Sequence, residues 1–460
     1  MTSQMNRQLL SSLLLLVAGL ACVIAPAPAM ADEALPSITF QEYRLDNGLQ
    51  VILHQDSTLP VAHVEVWYHV GSKDEPQGRS GFAHLFEHLM FNGSEHWDAE
   101  YFAPLQPLGA RVNGTTSTER TNYYETVPSN VVEMALWLEA DRMGFLLPAL
   151  TLAKLDNQRD VVRNERRQNY EIRPYAVARK AIVEAVWPPE HPYHRMTIGS
   201  HEDLEAATLD DVRSFFGTWY LPNNATLVVS GDLEVEQTKD WIGRYFGPIP
   251  AGPQPSPITE ASAALPDPVT VELEDNVQLP RLHWVWQSPP LFAPGDAELD
   301  ILSSVLTSGK ASRLHRKLVF EDRIAKDVSA AQYSAGLGST YRITATAAPG
   351  HELSEISAAI EAELAILLAE GPTEREVERA RNNWRTSFFA RMEKVAGKAG
   401  MLQSYNHHTG SADYVGADLQ RYLDVTPDAV KEWASRILDP AHRVTVVVSP
   451  RAAAATEVVQ

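Results

Sequence analysis

Two rhythms of apolar positions run along this chain. Stretches with period two read as strands: Tyr43–Leu53 and Val61–Val70 early on, then Val269–Leu273 and Arg281–Trp286. Residues 109–116 and 121–124 also favour β structure, around a polar turn at Ser117–Arg120, and predict a hairpin. Helical spacing marks other segments. Gly81–Phe91 is a short, greasy helix, while Leu152–Glu171 is a charged one that carries Leu155, Val162 and Glu165 on neighbouring faces. Glu352–Ala369 and Thr373–Ala396 are further helices.

The pattern repeats. Thr208–Pro222 and Thr426–Pro440 share Thr, Asp, Val, aromatic and Pro positions at a constant offset. Each reads as a threonine-capped helix followed by a strand, Ala225–Ser230 or Val444–Ser449. A Pro-rich stretch, residues 248–268, separates the two occurrences. We therefore expect an α+β fold of two homologous layered domains, 36–247 and 269–455, each an antiparallel-rich sheet covered by helices.

The N-terminus reads differently. Arg7, the apolar run Leu9–Ile24 and Ala29-Met30-Ala31 make residues 1–31 a cleavable export signal, too short to span a bilayer. The expected location is a periplasm or the extracellular space. Cys22, the single cysteine, lies inside that signal, so thiolate ligands, disulfides and cysteine nucleophiles are excluded from the processed chain. Lipidation of Cys22 is the minority alternative. With 39 basic against 59 acidic residues, the surface repels nucleic acid and anionic membranes, and its field favours cationic or neutral peptides. No later segment reads as transmembrane.

Chemistry concentrates at His84-Leu85-Phe86-Glu87-His88. On a helix at about 100° per residue, the two histidines lie roughly 40° apart, one turn from each other, and Glu87 falls roughly 60° to the other side of His84. Two neutral imidazoles suit zinc, and a carboxylate beside them can take a proton from water activated by the metal. Two histidines and a glutamate on so apolar a helix need buried partners. A third protein ligand is required; Glu165 is the best candidate and Glu171 its local competitor. The second half has no such string. Adjacent His407 and His408 would diverge on a helix and are read as surface or loop residues.

His84-x-x-Glu87-His88 followed by Asn164-Glu165-Arg166-Arg167 resembles the pitrilysin family of inverzincin zinc peptidases. That family includes insulin-degrading enzyme and the β subunit of mitochondrial processing peptidase. The resemblance implies a zinc metalloendopeptidase with one Zn2+ per chain, held by His84, His88 and Glu165, with Glu87 as general base. It also implies that Asn113, Gly114 and Thr115 lie on an edge strand pairing with the substrate backbone. Gln158 stands where some relatives carry an assisting glutamate; it keeps hydrogen bonding without the charge. Cobalt and manganese are alternative metals.

Long members of the family close a second pair of domains over the first, and that far half supplies an arginine and a tyrosine. In this chain the corresponding positions align with Val319 and Lys326, with Arg323 or Tyr341 as possible substitutes. A related zinc-less subunit is therefore the expected partner in a clamshell for peptides or unfolded segments, and a homodimer is the runner-up. The competing function is a non-catalytic structural or assembly subunit of the same fold.

Overall fold

The computed structural model describes residues 35–261 and 264–451, so the export-signal and lipidation expectations lie outside the described residues. The first half runs β1 (Gln41–Arg44), β2 (Gln50–Gln55), β3 (Val61–Tyr68), α1 (Phe82–Leu89), β4 (Arg111–Thr116) and β5 (Thr121–Pro128). It continues with α2 (Val132–Ala149), α3 (Leu152–Arg166), α4 (Val177–Val186), α5 (His201–Ala206), α6 (Leu209–Trp219), β6 (Ala225–Gly231) and α7 (Val235–Phe246). The second half begins with β7 (Val269–Asp275), β8 (Arg281–Ser288), α8 (Asp296–Thr307), β9 (Ala325–Tyr333) and β10 (Ser339–Ala347). It ends with α9 (Leu353–Glu370), α10 (Glu374–Met392), α11 (Val395–Thr409), α12 (Val415–Leu423), α13 (Pro427–Ile437) and β11 (Val444–Pro450).

The two sheets repeat one topology. The first is ordered β1-β2-β6-β3-β5-β4 and the second β7-β11-β8-β10-β9. Without β1, strand matches strand, including the one parallel pair in each, β2 with β6 and β7 with β11. Thr208 and Thr426 both accept a hydrogen bond from a first-turn N–H and so cap α6 and α13. Tyr43–Leu53, expected as one strand, is instead a hairpin. Asn47-Gly48 turns the chain with Gly48 at φ +88, where a side chain would be strained.

Each sheet has apolar cover on both faces, which is why β2 and β6 are buried along nearly their whole length rather than at alternate residues. Val51 and Leu53 face the main core of the first half, among α1, α2 and α6 residues. Ile52 and Val228 face the other way, against Phe388, Leu402 and Tyr405 of α10 and α11. The reciprocal cover comes from α4, whose Ile182 and Val186 pack on Val285, Val444 and Val446 of the second sheet. Each half thus lends a helix to the sheet of the other.

Several polar groups at this seam are paired across it. Gln403 Nε2 donates to the carbonyls of Glu65 (3.1 Å) and Thr226 (2.9 Å), and Asn406 joins Gln50 and Thr226. His407 and His408 are therefore not loop residues. They sit on α11, half-buried, and His407 Nδ1 lies 2.7 Å from Nδ1 of His69. Burial lowers both imidazoles of that pair, that of His69 to about 4, so they meet as neutral rings sharing one proton.

Residues 248–261 and 264–268 are irregular but fastened. Asn47 Nδ2 donates to the carbonyls of Phe246 and Ile249, and Asn223 Nδ2 to that of Gly252. Tyr341 is wholly buried in the second core and Arg323 sits exposed at φ +59, so Tyr341 has no access to a substrate. No helix among the described residues is long and apolar enough to cross a membrane.

Candidate active site

Helix α1 is fixed from its apolar side. Phe82 and Phe86 are buried against Phe215, and Phe86 also stacks on Tyr220, with ring centroids 4.9 Å apart. Its first turn is capped from a distance, because Gly81 has no side chain. The Glu75 carboxylate accepts the N–H groups of Gly81 (3.0 Å) and Ala83 (2.9 Å). Gly81 at φ +89 and Gly199 at φ +75 allow the loop before α5 to pass against this end; a Cβ on Gly199 would lie 2.3 Å from the Ser80 carbonyl.

With the apolar face held, His84 and His88 turn toward α3. Leu155 and Val162 bury themselves beneath that helix, and Glu165 projects over α1. Its Oε2 lies 3.6 Å from Nε2 of His84 and 3.4 Å from Nε2 of His88. The three donor atoms fall within 4.8 Å of one another. A tetrahedral zinc with bonds of about 2.0–2.2 Å has ligand–ligand edges of about 3.4 Å. The donor set, two imidazoles and one carboxylate with room for a fourth ligand, fits the ion in chemistry and spacing. Glu171 is turned away, paired with His201 (3.0 Å) and Arg166 (3.2 Å).

Burial, then the neighbouring His88, lowers His84 to about 4, which keeps it neutral as a ligand must be. The His88 hydrogen bond holds the Glu165 carboxyl below the usual range. Glu87 is shifted the other way, raised chiefly by burial, against the opposing hydrogen bond from Thr116. Thr116 Oγ1 donates to Glu87 Oε2 at 2.6 Å, which leaves Oε1 free. Thr116 had no role assigned from sequence, and no spacing rule points to it.

Strand β4 is an edge of the first sheet, as the resemblance implies. Asn113 is exposed on it and lines a cleft of about 350 Å³ together with Glu87, His88, Phe91, Glu100 and Gln158. Gly114 is buried, and a Cβ there would press on Phe91 and Tyr123 at 3.1 Å. Thr115 is already engaged: its hydroxyl donates to Asn122 (2.6 Å), and its carbonyl accepts from Arg120 (3.0 Å). Of the three residues expected to meet substrate, Asn113 alone presents an exposed side chain to the cleft.

The hairpin turn is held by both halves. Ser72 N–H donates to the Ser117 carbonyl and Lys73 N–H to that of Thr118. From the second half, Gly336 N–H reaches both oxygens of Glu119, at 3.0 and 2.9 Å; from the first, the Tyr193 hydroxyl donates to the same carboxylate. A Cβ on Gly336 would lie 2.7 Å from Glu119 Oε1, so this contact needs a glycine.

Residues 50–197 match the family described as Insulinase (Peptidase family M16), and residues 206–384 that described as Peptidase M16 inactive domain. The chain belongs to the M16 family. Zinc protease PqqE of Helicobacter pylori is 26% identical over 449 residues, 96% of this chain and 98% of that relative. An uncharacterized zinc protease of Bacillus subtilis, YmxG, is 24% identical over 78% of this chain and 86% of its own. The crystal structure of a protease from Helicobacter pylori superposes with a TM-score of 0.83 at 26% identity, covering 90% of this chain and all of that one. The periplasmic protease PqqL of Escherichia coli shares the fold at TM-score 0.75 and 18% identity; 90% of this chain matches 48% of that one. The M16 inactive-domain match begins at the end of α5 in the first half and runs into α10 of the second; among the described residues the single candidate metal cluster, His84, His88 and Glu165, lies outside it.

Proposed function

We propose that this chain is a zinc metalloendopeptidase. The observation carrying this reading is the convergence of His84, His88 and Glu165 beside Glu87, next to the open edge of β4. Zinc bound by those three residues supplies Lewis acidity toward the scissile carbonyl and toward water. A peptide lies along β4 by strand addition, oriented by the exposed Asn113. Glu87 Oε2 is held by Thr116, so Oε1 takes the proton of the attacking water and then delivers it to the leaving amine. Burial keeps the basicity of Glu87 above that of an exposed glutamate, which suits a group that must accept and then release a proton. Gln158 lines the same cleft and offers hydrogen bonds without adding charge near the base.

In this reading, residues 36–247 form the peptidase domain, 248–268 a linker and 269–455 its metal-free homologue. The chain matches about half of the longer PqqL protease, which supports pairing with a related zinc-less subunit, or with a second copy, to close the chamber. Export to a periplasm or beyond rests on the sequence of residues 1–31.

Glu87→Gln tests the mechanism. Turnover of a mixed peptide library should fall by about three orders of magnitude or more, while stoichiometric zinc is retained. Retained turnover in that variant overturns the assignment of the base.

A further inference from the structure

A second cleft, of about 420 Å³, opens between the halves beyond the tip of the active-site hairpin. Its lining includes three arginines, Arg179, Arg195 and Arg342, and no aspartate or glutamate, in a chain with 59 acidic residues against 39 basic. Arg195 is tethered to the carbonyls of Glu75 and Pro76. The other two have no carboxylate partner among the described residues. The Arg342 guanidinium lies 4.3 Å over the Tyr333 ring and that of Arg179 lies 5.3 Å over Tyr170, so aromatic faces hold both planes without neutralising them. Burial, and then the charge of Arg179, disfavours the cationic form of Arg342. The part-buried Arg342 and the exposed Arg179 beside it repel one another, and a carboxylate between them removes the repulsion.

The cleft is also placed to read a peptide. Thr118 lines it, two residues beyond the Thr116 that holds Glu87, and Tyr170 lies five residues past Glu165. A strand advances about 3.3 Å per residue, so an extended peptide on β4 reaches the cleft roughly two to four residues from the scissile bond.

We infer that this cleft is a carboxylate-binding subsite, through which Arg342 and Arg179 select peptides carrying an acidic group on one side of the cleaved bond. The inference rests on the peptidase reading. It also reverses, locally, the preference for cationic peptides that the net charge suggests.

The test is a fluorogenic peptide series in which a single Glu or Gln is moved from four residues before to four residues after the scissile bond. A parallel pair ends in a free carboxylate or an amide. With the zinc-loaded full chain, one position should favour Glu over Gln by on the order of tenfold in kcat/KM, and less in high salt. If the free C-terminus gives that gain and internal Glu does not, the carboxylate recognised is the terminal one; the reverse assigns a side chain. Arg342→Gln and Arg179→Gln should each bring the Glu/Gln ratio toward one, and Arg342→Glu should make Lys the favoured residue at that position. A ratio near one at every position in the wild-type chain, or a preference unchanged in both arginine variants, overturns the subsite. Fluorescence anisotropy with the same peptides separates the two readings. Arginine-dependent preference in binding without any hydrolysis supports the subsite while refuting the peptidase.

Discussion

Truncating Glu119 tests whether the second half positions the active-site strand. Its carboxylate is 9% exposed and takes the Gly336 N–H on both oxygens, the Tyr193 hydroxyl on one, and has His408 Nδ1 at 3.9 Å. In Glu119→Ala the Gly336 and Tyr193 donors lose their acceptor, at about 1–3 kcal/mol for each unpaired buried group. Water entering the space recovers part of this, leaving a net loss of roughly 2–4 kcal/mol. A chain of this length unfolds with an entropy near 0.9 kcal/mol per kelvin, so the thermal midpoint should fall by about 2–4 °C. None of the three ligand side chains lies on the hairpin, so zinc should remain stoichiometric. With β4 and Thr116 less firmly placed against Glu87, kcat/KM should fall by about 10- to 100-fold. Glu119→Gln keeps one acceptor and should fall between. The assays are calorimetry, metal analysis and peptide hydrolysis on the same preparations. Wild-type midpoint and kcat/KM in Glu119→Ala would refute the argument, and so would loss of zinc.

Removing the carboxylate in Glu165→Ala should weaken zinc binding, read by competition with a chelating dye, by more than the roughly 10- to 100-fold that outer-shell partners are worth. Leu402→Ala takes a wholly buried side chain from between α11 and the first sheet, and should cost about 2–5 kcal/mol in denaturant unfolding. Acid should act on Glu376, whose carboxyl burial alone would raise. The two-pronged Arg313 pair (2.8 Å each) and the Thr373 N–H outweigh burial and hold it at about 2. A depressed carboxyl stabilises above its ordinary 4.5 and loses that contribution as pH falls toward 2. After allowing for partial exposure, Glu376→Gln should be about 1–2 kcal/mol less stable than the wild type at pH 7, with the gap closing between pH 4.5 and 2.

Local periodicity made much of this protein legible. His84 and His88 share a face because a helix repeats every 3.6 residues, and Leu155 and Val162 fix which way Glu165 points. Polar residues at Ser117–Arg120 between β-favouring runs located the hairpin, and the threonine-capped repeat revealed the duplication. Where reading failed, a competing signal was present. Asn47-Gly48 marks a turn inside what looked like one strand. Adjacent histidines at 407 and 408 looked like surface residues because their partners, His69 and Glu119, come from the other half.

Sequence by itself determined the elements, their duplication, the metal-ligand candidates and the family. Each depends on residues near in the chain or on spacings that helices and strands impose. Helical spacing left Glu165 and Glu171 both open and the family resemblance pointed to Glu165; packing against α1 is what brings Glu165, and not Glu171, to His84 and His88. Tertiary structure also decided that α4 and α11 cover opposite sheets and that Gly336 grips Glu119 across 217 residues of chain. It brought Arg179 and Arg342 to one cleft. Such contacts join distant segments through shape and burial, which no local period encodes.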